Sequence, residues 1–346
     1  PQGRHDRRAR EVAVILAPPV CRTIPSRRGL RYTLGSRTPT CYRKPRAMSE
    51  SAATSPWRSA WSLPDDVSYL NHGSFGPTPR VVQAAERMWS SRLASQPMDF
   101  FLRQLEPALD EAVERLAAFV DADARDLAFV DNATTAMNIV ATTVPLAADD
   151  EVLLNDHEYG AVRRIWQRRC DAAKARLTTA QIPVEEVCRR AQSLGIPVCI
   201  DGPHAIAMRD LHLRRLGAAF YCASLHKWLS APFGTGFLYV DRRWQSRLKP
   251  PILSWGKSLS GRPVRWQDEY NWPGTRDPAA LLAVPAAIDF LEAVGLTTFR
   301  NYGHELANEA RQRIERLCGT EALVPNDAAW YGTMITVPLP PGPSLR

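Results

Sequence analysis

Apolar residues recur at helical spacing from Val81 to Leu93 and from Leu102 to Phe119, and a short apolar run, Leu127 to Val130, then predicts a buried strand. Asp131-Asn132-Ala133-Thr134-Thr135 follows at once, and its small polar residues suit a helix cap. The segment therefore reads as strand, turn and the start of an apolar helix near Thr135. Further strands are expected at Glu151 to Leu154, Ile196 to Ile200, Ala218 to Ala223 and Gly236 to Val240, with helices at Ala161 to Lys174 and Val184 to Leu194 between them. This alternation predicts an α/β fold around a largely parallel sheet. Beyond Asp277, helices are expected at Ala280 to Leu291 and Leu296 to Leu317, in a smaller second domain.

A chain of 346 residues that is 45% hydrophobic can bury one large core or two modest ones. Its net charge of +8 suggests a nucleic-acid partner until the charge is located. Residues 1–47 hold eleven arginines and Lys44 against Asp6 and Glu11, a balance of +10, so the rest of the chain carries −2. Those 47 residues scatter proline and cysteine without period, and Met48-Ser49-Glu50 behind them resembles a natural start. The expectation is a basic leader, disordered or non-native, with function and fold beginning after it and no nucleic-acid partner. The seven cysteines form no CxxC pair and no secretory signal is visible, which predicts a reducing, cytoplasmic setting. No apolar run approaches the roughly 20 residues of a membrane span, and no cluster with metal-ligand spacing is visible.

The chemistry lies at predicted strand ends. Lys227, in Ser224-Leu225-His226-Lys227-Trp228, follows an apolar strand and precedes the turn-rich Pro232-Phe233-Gly234-Thr235-Gly236. A lysine so placed is partly desolvated, which lowers its pKa and leaves an amine able to condense with an aldehyde. Asp201, in Asp201-Gly202-Pro203-His204, ends another strand at the carboxyl edge of the sheet, where α/β enzymes hold their ligands. A carboxylate there can keep a pyridine nitrogen protonated. Asn132 to Thr135 supplies a helix N-terminus of the kind that binds a phosphate dianion.

With Asn71-His72-Gly73-Ser74-Phe75-Gly76, Asp156-His157-Glu158-Tyr159-Gly160 and Gly274-Thr275-Arg276-Asp277 added, the ordered set resembles the class V aminotransferases, and isopenicillin N epimerase-like proteins most. The resemblance runs from about Tyr69 to about Leu317. It implies a pyridoxal-phosphate (PLP) enzyme of fold type I acting on an amino acid as a homodimer. Residues 48–276 would form the large cofactor-binding domain and 277–346 a shortened α+β small domain. By the same resemblance Lys227 would carry the cofactor as a Schiff base and shuttle the substrate Cα proton, Asp201 would pair with the pyridinium nitrogen, and His204 would lie near the phenolic oxygen. Ala133, Thr134, Thr135, Ser224 and His226 would cradle the phosphate, with Thr275 reaching it from a second copy. Tyr159 or His157 would lie over the ring, and Asn71, His72 and Arg276 would line the substrate pocket.

The chain departs from the family pattern where Lys174-Ala175-Arg176-Leu177 runs almost directly into Thr178-Thr179-Ala180-Gln181. Roughly one βαβ repeat, about 30 residues, is missing near 175–180. Thr178 to Val184 then reads as the end of a strand without its beginning, and a central strand would be lost, with unpaired edges on both sides. The proline-rich end, Pro338 to Arg346, stops short of a substrate-carboxylate arginine. Epimerisation, transamination and elimination all stay open, and so does a non-catalytic paralogue. A cysteine desulfurase needs a mobile thiol, whereas Cys318 ends a helix.

Overall fold

A computed structural model describes residues 12–16, 57–180 and 184–340. Seven strands form one sheet in the order β2-β7-β6-β5-β1-β3-β4, where β1 is Val12–Leu16, β2 Leu127–Val130, β3 Glu151–Asn155, β4 Arg176–Ala180, β5 Val198–Asp201, β6 Phe220–Ser224 and β7 Gly236–Val240. Strand β7 runs antiparallel to both its neighbours, and every other pairing is parallel. The carboxyl ends of β2, β6, β5, β1, β3 and β4 therefore share one edge.

Helices cover both faces, as the continuous apolar runs require. Along β6, Tyr221 and Ala223 enter one apolar cluster while Phe220 and Cys222 enter the other. Strands β2 and β7 divide in the same way, with Phe129 and Phe237 on the first face and Ala128 and Leu238 on the second. The first cluster packs the helices Arg80–Ser95, Leu105–Phe119 and Val284–Val294 through Val82, Leu116 and Ile288. The second uses Ala133–Thr143 and Gly160–Ala173 through Met137, Val140 and Trp166. Each large side chain buried this way contributes about 1.5–3 kcal/mol.

Most element boundaries fall within two residues of those read from the periodicity. Strand β5 starts at Val198 rather than Ile196, because Pro197 has no N–H to give a ladder. The helix expected from Leu102 is preceded by a π-helical turn, Phe100–Gln104. Residues 277–340 hold helices and no strand among the described residues, and the helix Leu296–Cys318 packs Ala307 against Val324 and Tyr331 in a separate small cluster.

The expected strand gap has a different outcome. Arg176–Ala180 is a complete five-residue strand paired along its whole length with β3, on the side away from β5. Between β3 and β5 lies β1, parallel to both, with Ile15 opposite Leu154 on one side and Cys199 on the other. The two unpaired edges expected from the deletion are thus occupied by five residues of the leader, which were expected to lie outside the fold. Val-Ala-Val-Ile-Leu is apolar throughout, the composition a parallel strand between two others needs. The rest of the leader lies outside the described residues.

One contact beneath the carboxyl edge tolerates little change. Tyr221, fully buried and stacked on Phe237, donates its hydroxyl to the carbonyl of Gly202 at 2.8 Å, and a Cβ at 202 would lie 2.0 Å from the tyrosine ring. Gly202→Ala is expected to destabilise the protein by about 1–3 kcal/mol, measured as a lower urea midpoint with unchanged slope. A chain starting at Met48 is expected to exchange the amides of 152–154 and 198–200 markedly faster than the full chain in hydrogen–deuterium exchange. Equal protection in the two would show that β1 does not hold those strands.

Candidate active site

Four loops meet at the shared edge. Strand β2 ends at Val130, just before Asp131, and Asn132 caps the helix Ala133–Thr143 by accepting the N–H of Thr135 at 2.9 Å. The N–H of Ala133 donates to Ser224 Oγ at 2.9 Å, which ties this helix start to the end of β6. Thr134 is exposed in the first helical turn, and Thr135 is half-buried. The N–H and exposed hydroxyl of Thr134, beside the Ser224 hydroxyl, have the chemistry of an anion site, while the N–H groups of Ala133 and Thr135 are already bonded to Ser224 and Asn132.

Strand β6 delivers Leu225, His226 and Lys227 into a tight turn, in which the N–H of Ser230 donates to the Lys227 carbonyl at 3.1 Å. The segment from Asn71 to Gly76 lies against that turn, with the N–H of Gly76 donating to the His226 carbonyl at 2.8 Å. A Cβ at Gly76 would lie 2.0 Å from the Lys227 carbonyl oxygen, so only glycine lets the two backbones approach. Asn71 closes its own turn through Ser74 and is exposed, whereas His72 stacks at 6.2 Å and 15° on Trp228. Burial holds the His72 imidazole below its ordinary pKa.

Asp201 ends β5, and Lys227 lies three residues beyond the end of its neighbour β6. Asp201 is 6% exposed and its Oδ1 has no hydrogen-bond partner among the described residues. Burial pushes its carboxyl up to about 6, and the Lys227 charge works against that rise. Burial also lowers the Lys227 amine from its ordinary value, with Asp201 opposing. His204 joins the pair: its Nε2 is 3.2 Å from Lys227 Nζ and its Nδ1 accepts the indole N–H of Trp228 at 3.2 Å. Burial first, and the Lys227 charge second, bring His204 down to about 4. His226, half-buried and tilted against Phe233, also has a buried Nδ1 without a partner among the described residues.

The remaining candidates stand further out. At the end of β3, the N–H of His157 donates to Asn155 Oδ1 at 2.8 Å, and the side chains of His157 and Tyr159 are exposed. No hydrogen bond or ring contact joins either to Lys227, Asp201 or His204 among the described residues. Arg276 pairs with Asp131 at 2.5 Å, and Thr275 is exposed. Trp228 and Gly76 were not singled out from the sequence, although both sit inside quoted motifs. A tryptophan directly after the lysine was the available signal, and its direction is set by a turn that periodicity does not reveal.

The residues fit pyridoxal 5'-phosphate. A buried carboxylate oxygen without a partner suits a pyridinium N–H, a partly desolvated amine suits an aldehyde, and a helix start with adjacent hydroxyls suits a phosphate.

The family model for "Aminotransferase class-V" matches residues 69–182 and 178–342, two stretches that meet where the sequence shortens. The chain is 35% identical over 338 positions to isopenicillin N epimerase of Amycolatopsis lactamdurans, covering 82% of this chain and 84% of that protein. It is 33% identical over 342 positions to the Streptomyces clavuligerus epimerase, covering 84% and 86%. A putative L-cysteine desulfhydrase of Oryza sativa subsp. japonica is 29% identical over 331 positions, covering 79% and 67%. Among solved structures, a cysteine desulfurase from Thermococcus onnurineus superposes with a TM-score of 0.65 at 17% identity over 83% of this chain and 82% of that one. The cystine C-S lyase C-DES gives 0.62 at 21% identity over 73% and 79%. The likeness of fold, together with a family match across both halves of the site, makes this chain a member of the class V aminotransferase family of PLP-dependent enzymes.

Proposed function

We propose that the protein inverts the Cα centre of an amino-acid substrate, with Lys227 as the residue that holds the cofactor covalently and moves the proton. One observation carries this reading: a partly desolvated lysine, its pKa lowered, stands beside a buried carboxylate that has an oxygen to spare. The 33–35% identity to two epimerases supports inversion over other outcomes at Cα. Pyridoxal phosphate, when bound, supplies an electron sink for the carbanion left by proton removal. The protein's own residues do the rest. Asp201 would accept a hydrogen bond from the ring nitrogen and keep it protonated, and His204 would lie near the phenolic oxygen. Ala133, Thr134, Thr135, Ser224 and His226 would hold the phosphate, and Tyr159, with His157 as alternative, would cover the ring. Lys227 would be the base at Cα.

Asn71, His72 and Arg276 are inferred to orient the substrate. A second copy would bring Thr275, and the exposed Leu253 and Trp255 offer it apolar surface. A cytoplasmic enzyme is the setting this reading assumes, and among the described residues no single helix is long and apolar enough to cross a membrane. Cysteine lyase chemistry is the second reading, favoured by the likeness to the rice desulfhydrase. Among the described residues a desulfurase thiol is poorly supported, because Cys170, Cys188, Cys199 and Cys222 are buried and Cys318 ends the helix Leu296–Cys318.

With added cofactor the protein is expected to show a visible absorption band that borohydride traps, and Lys227→Ala to lack it. Amino acids incubated in D2O are expected to exchange their α-proton with loss of chirality, and Lys227→Ala to slow this by about 10²–10⁴-fold. Sulfide release from cysteine in place of inversion would favour the lyase reading, and no band from folded protein would sink both and leave a non-catalytic paralogue.

Asp201 also gives a pH prediction. Its folded pKa, about 6, lies above the ordinary 3.8, so its contribution to stability is fully present below pH 4 and is lost as the pH rises through 6. Above that pH the cofactor-free protein holds a carboxylate that burial disfavours. Asp201→Asn is therefore expected to stabilise the cofactor-free protein at pH 7–8, by an amount on the order of 3 kcal/mol, while activity falls. Denaturant melts of the two proteins at pH 4 and pH 8 check the sign: the difference should be small at the lower pH and large at the higher.

A further inference from the structure

We propose that Trp228 is a positioning residue that fixes the tautomer of His204 and thereby holds Lys227 as a free amine. The proposal concerns protein groups alone, and it rests on the functional reading only for its consequence, that a nucleophilic amine is wanted at this place.

An indole N–H can donate and can never accept. With Trp228 Nε1 at 3.2 Å, the His204 Nδ1 has to present its lone pair, so a neutral His204 carries its proton on Nε2. Turning the ring over would set carbon atoms against both the indole nitrogen and Lys227 Nζ, so the ring orientation is fixed by its two neighbours. The imidazolium form would put a second N–H against the indole N–H, and burial disfavours it as well. Nε2–H then points at Lys227 Nζ, 3.2 Å away. An ammonium has only donors and would meet a donor there, whereas a neutral amine accepts with its lone pair. The chain of bonds runs from indole N–H to Nδ1 and from Nε2–H to the amine.

The indole is held in place for this. Trp228 is 8% exposed, and His72 stacks on one side of it. A Cβ at Gly73 would come within 3.4 Å of its Cζ2 and 3.3 Å of Met334 Sδ, so this loop already packs closely on the ring. The turn after Lys227 is closed by the N–H of Ala231 donating to the Leu225 carbonyl at 3.2 Å. The other titratable groups bearing on Lys227 are Asp201 on β5, which raises its pKa, and His226, whose own pKa is lowered by the Lys227 charge. Neither bonds to His204, so neither sets its tautomer.

The test uses the cofactor-free full chain labelled with ¹⁵N-histidine, with His204→Gln to assign the signal. Long-range ¹H–¹⁵N spectra at pH 7 are expected to show His204 with an unprotonated Nδ1 and a protonated Nε2. In Trp228→Phe, which keeps an aromatic ring but has no donor, a mixture of tautomers is expected. The midpoint for reaction of Lys227 with an amine reagent is expected to rise by about one pH unit, a tenfold loss of free amine at fixed pH. A His204 protonated on Nδ1 in the wild-type protein overturns the proposal, and that measurement needs no variant to fold. So does a Trp228→Phe protein that melts normally and keeps both the tautomer and the midpoint. Absence of a cofactor band would leave these spectra unaffected, so the functional reading and this one fail separately.

Discussion

The electrostatics at the carboxyl edge centre on two opposite charges that the sheet brings together without letting them pair. Asp201 and Lys227 form no salt bridge, yet each shifts the other: the lysine charge restrains the rise of the carboxyl, and the carboxylate restrains the fall of the amine. Burial drives both toward their neutral forms. Each group is thus held away from its ordinary charged state by burial, and a bound ligand with its own charge can shift the balance between them. A direct ion pair would have removed that freedom, since it would hold both groups ionised.

Close backbone approaches keep these groups where they are. Gly76 brings the loop that carries His72 and Gly73 onto the carbonyls of His226 and Lys227, and Gly202 lets the Tyr221 hydroxyl reach the backbone just beyond Asp201. One is a backbone–backbone hydrogen bond and the other a tyrosine hydroxyl on a backbone carbonyl, and both are made in the space a side chain would fill. His72 stacks on the indole of Trp228, the residue that follows the lysine. The polar groups of the site thus rest on apolar and main-chain contacts that carry no charge, which leaves their protonation to one another.

Much of the fold was legible because the pattern is unambiguous where strands are buried on both faces. Leu127–Val130 and Gly236–Val240 appear at the expected residues, and the helix before β2 ends at Phe119 as expected. Of the candidate site, Asp201 and Ser224 were legible as the last residues of apolar strands, and His204 and Lys227 lie three residues beyond them, where the parallel sheet sends such positions to one edge. Tyr159 and His157 lie after a strand as well, but β1 separates β3 from β5, so closeness along the motif set does not become contact in space. The role of Trp228 was hidden because it depends on the direction of one ring, set by a turn. The occupant of the strand gap was hidden for another reason: parallel pairing is non-local, and no local pattern tells a five-residue apolar run which two strands it will join.

That strand has a consequence for how the chain acquires its shape. Val14 pairs with Leu153 and with Val198, partners separated from it by more than a hundred residues of chain. During synthesis the first strand leaves the ribosome long before either neighbour exists. Its five apolar residues must wait, while β6 and β7, close in sequence and antiparallel, can pair as soon as both are made. Closure of the sheet centre is then a late event with a high loop-closure cost, and the interval before it leaves both an apolar segment and a two-sided slot in search of partners. The same geometry that completes the sheet within one chain would accept the first strand of another, so crowding of nascent chains favours exchange between copies over correct closure.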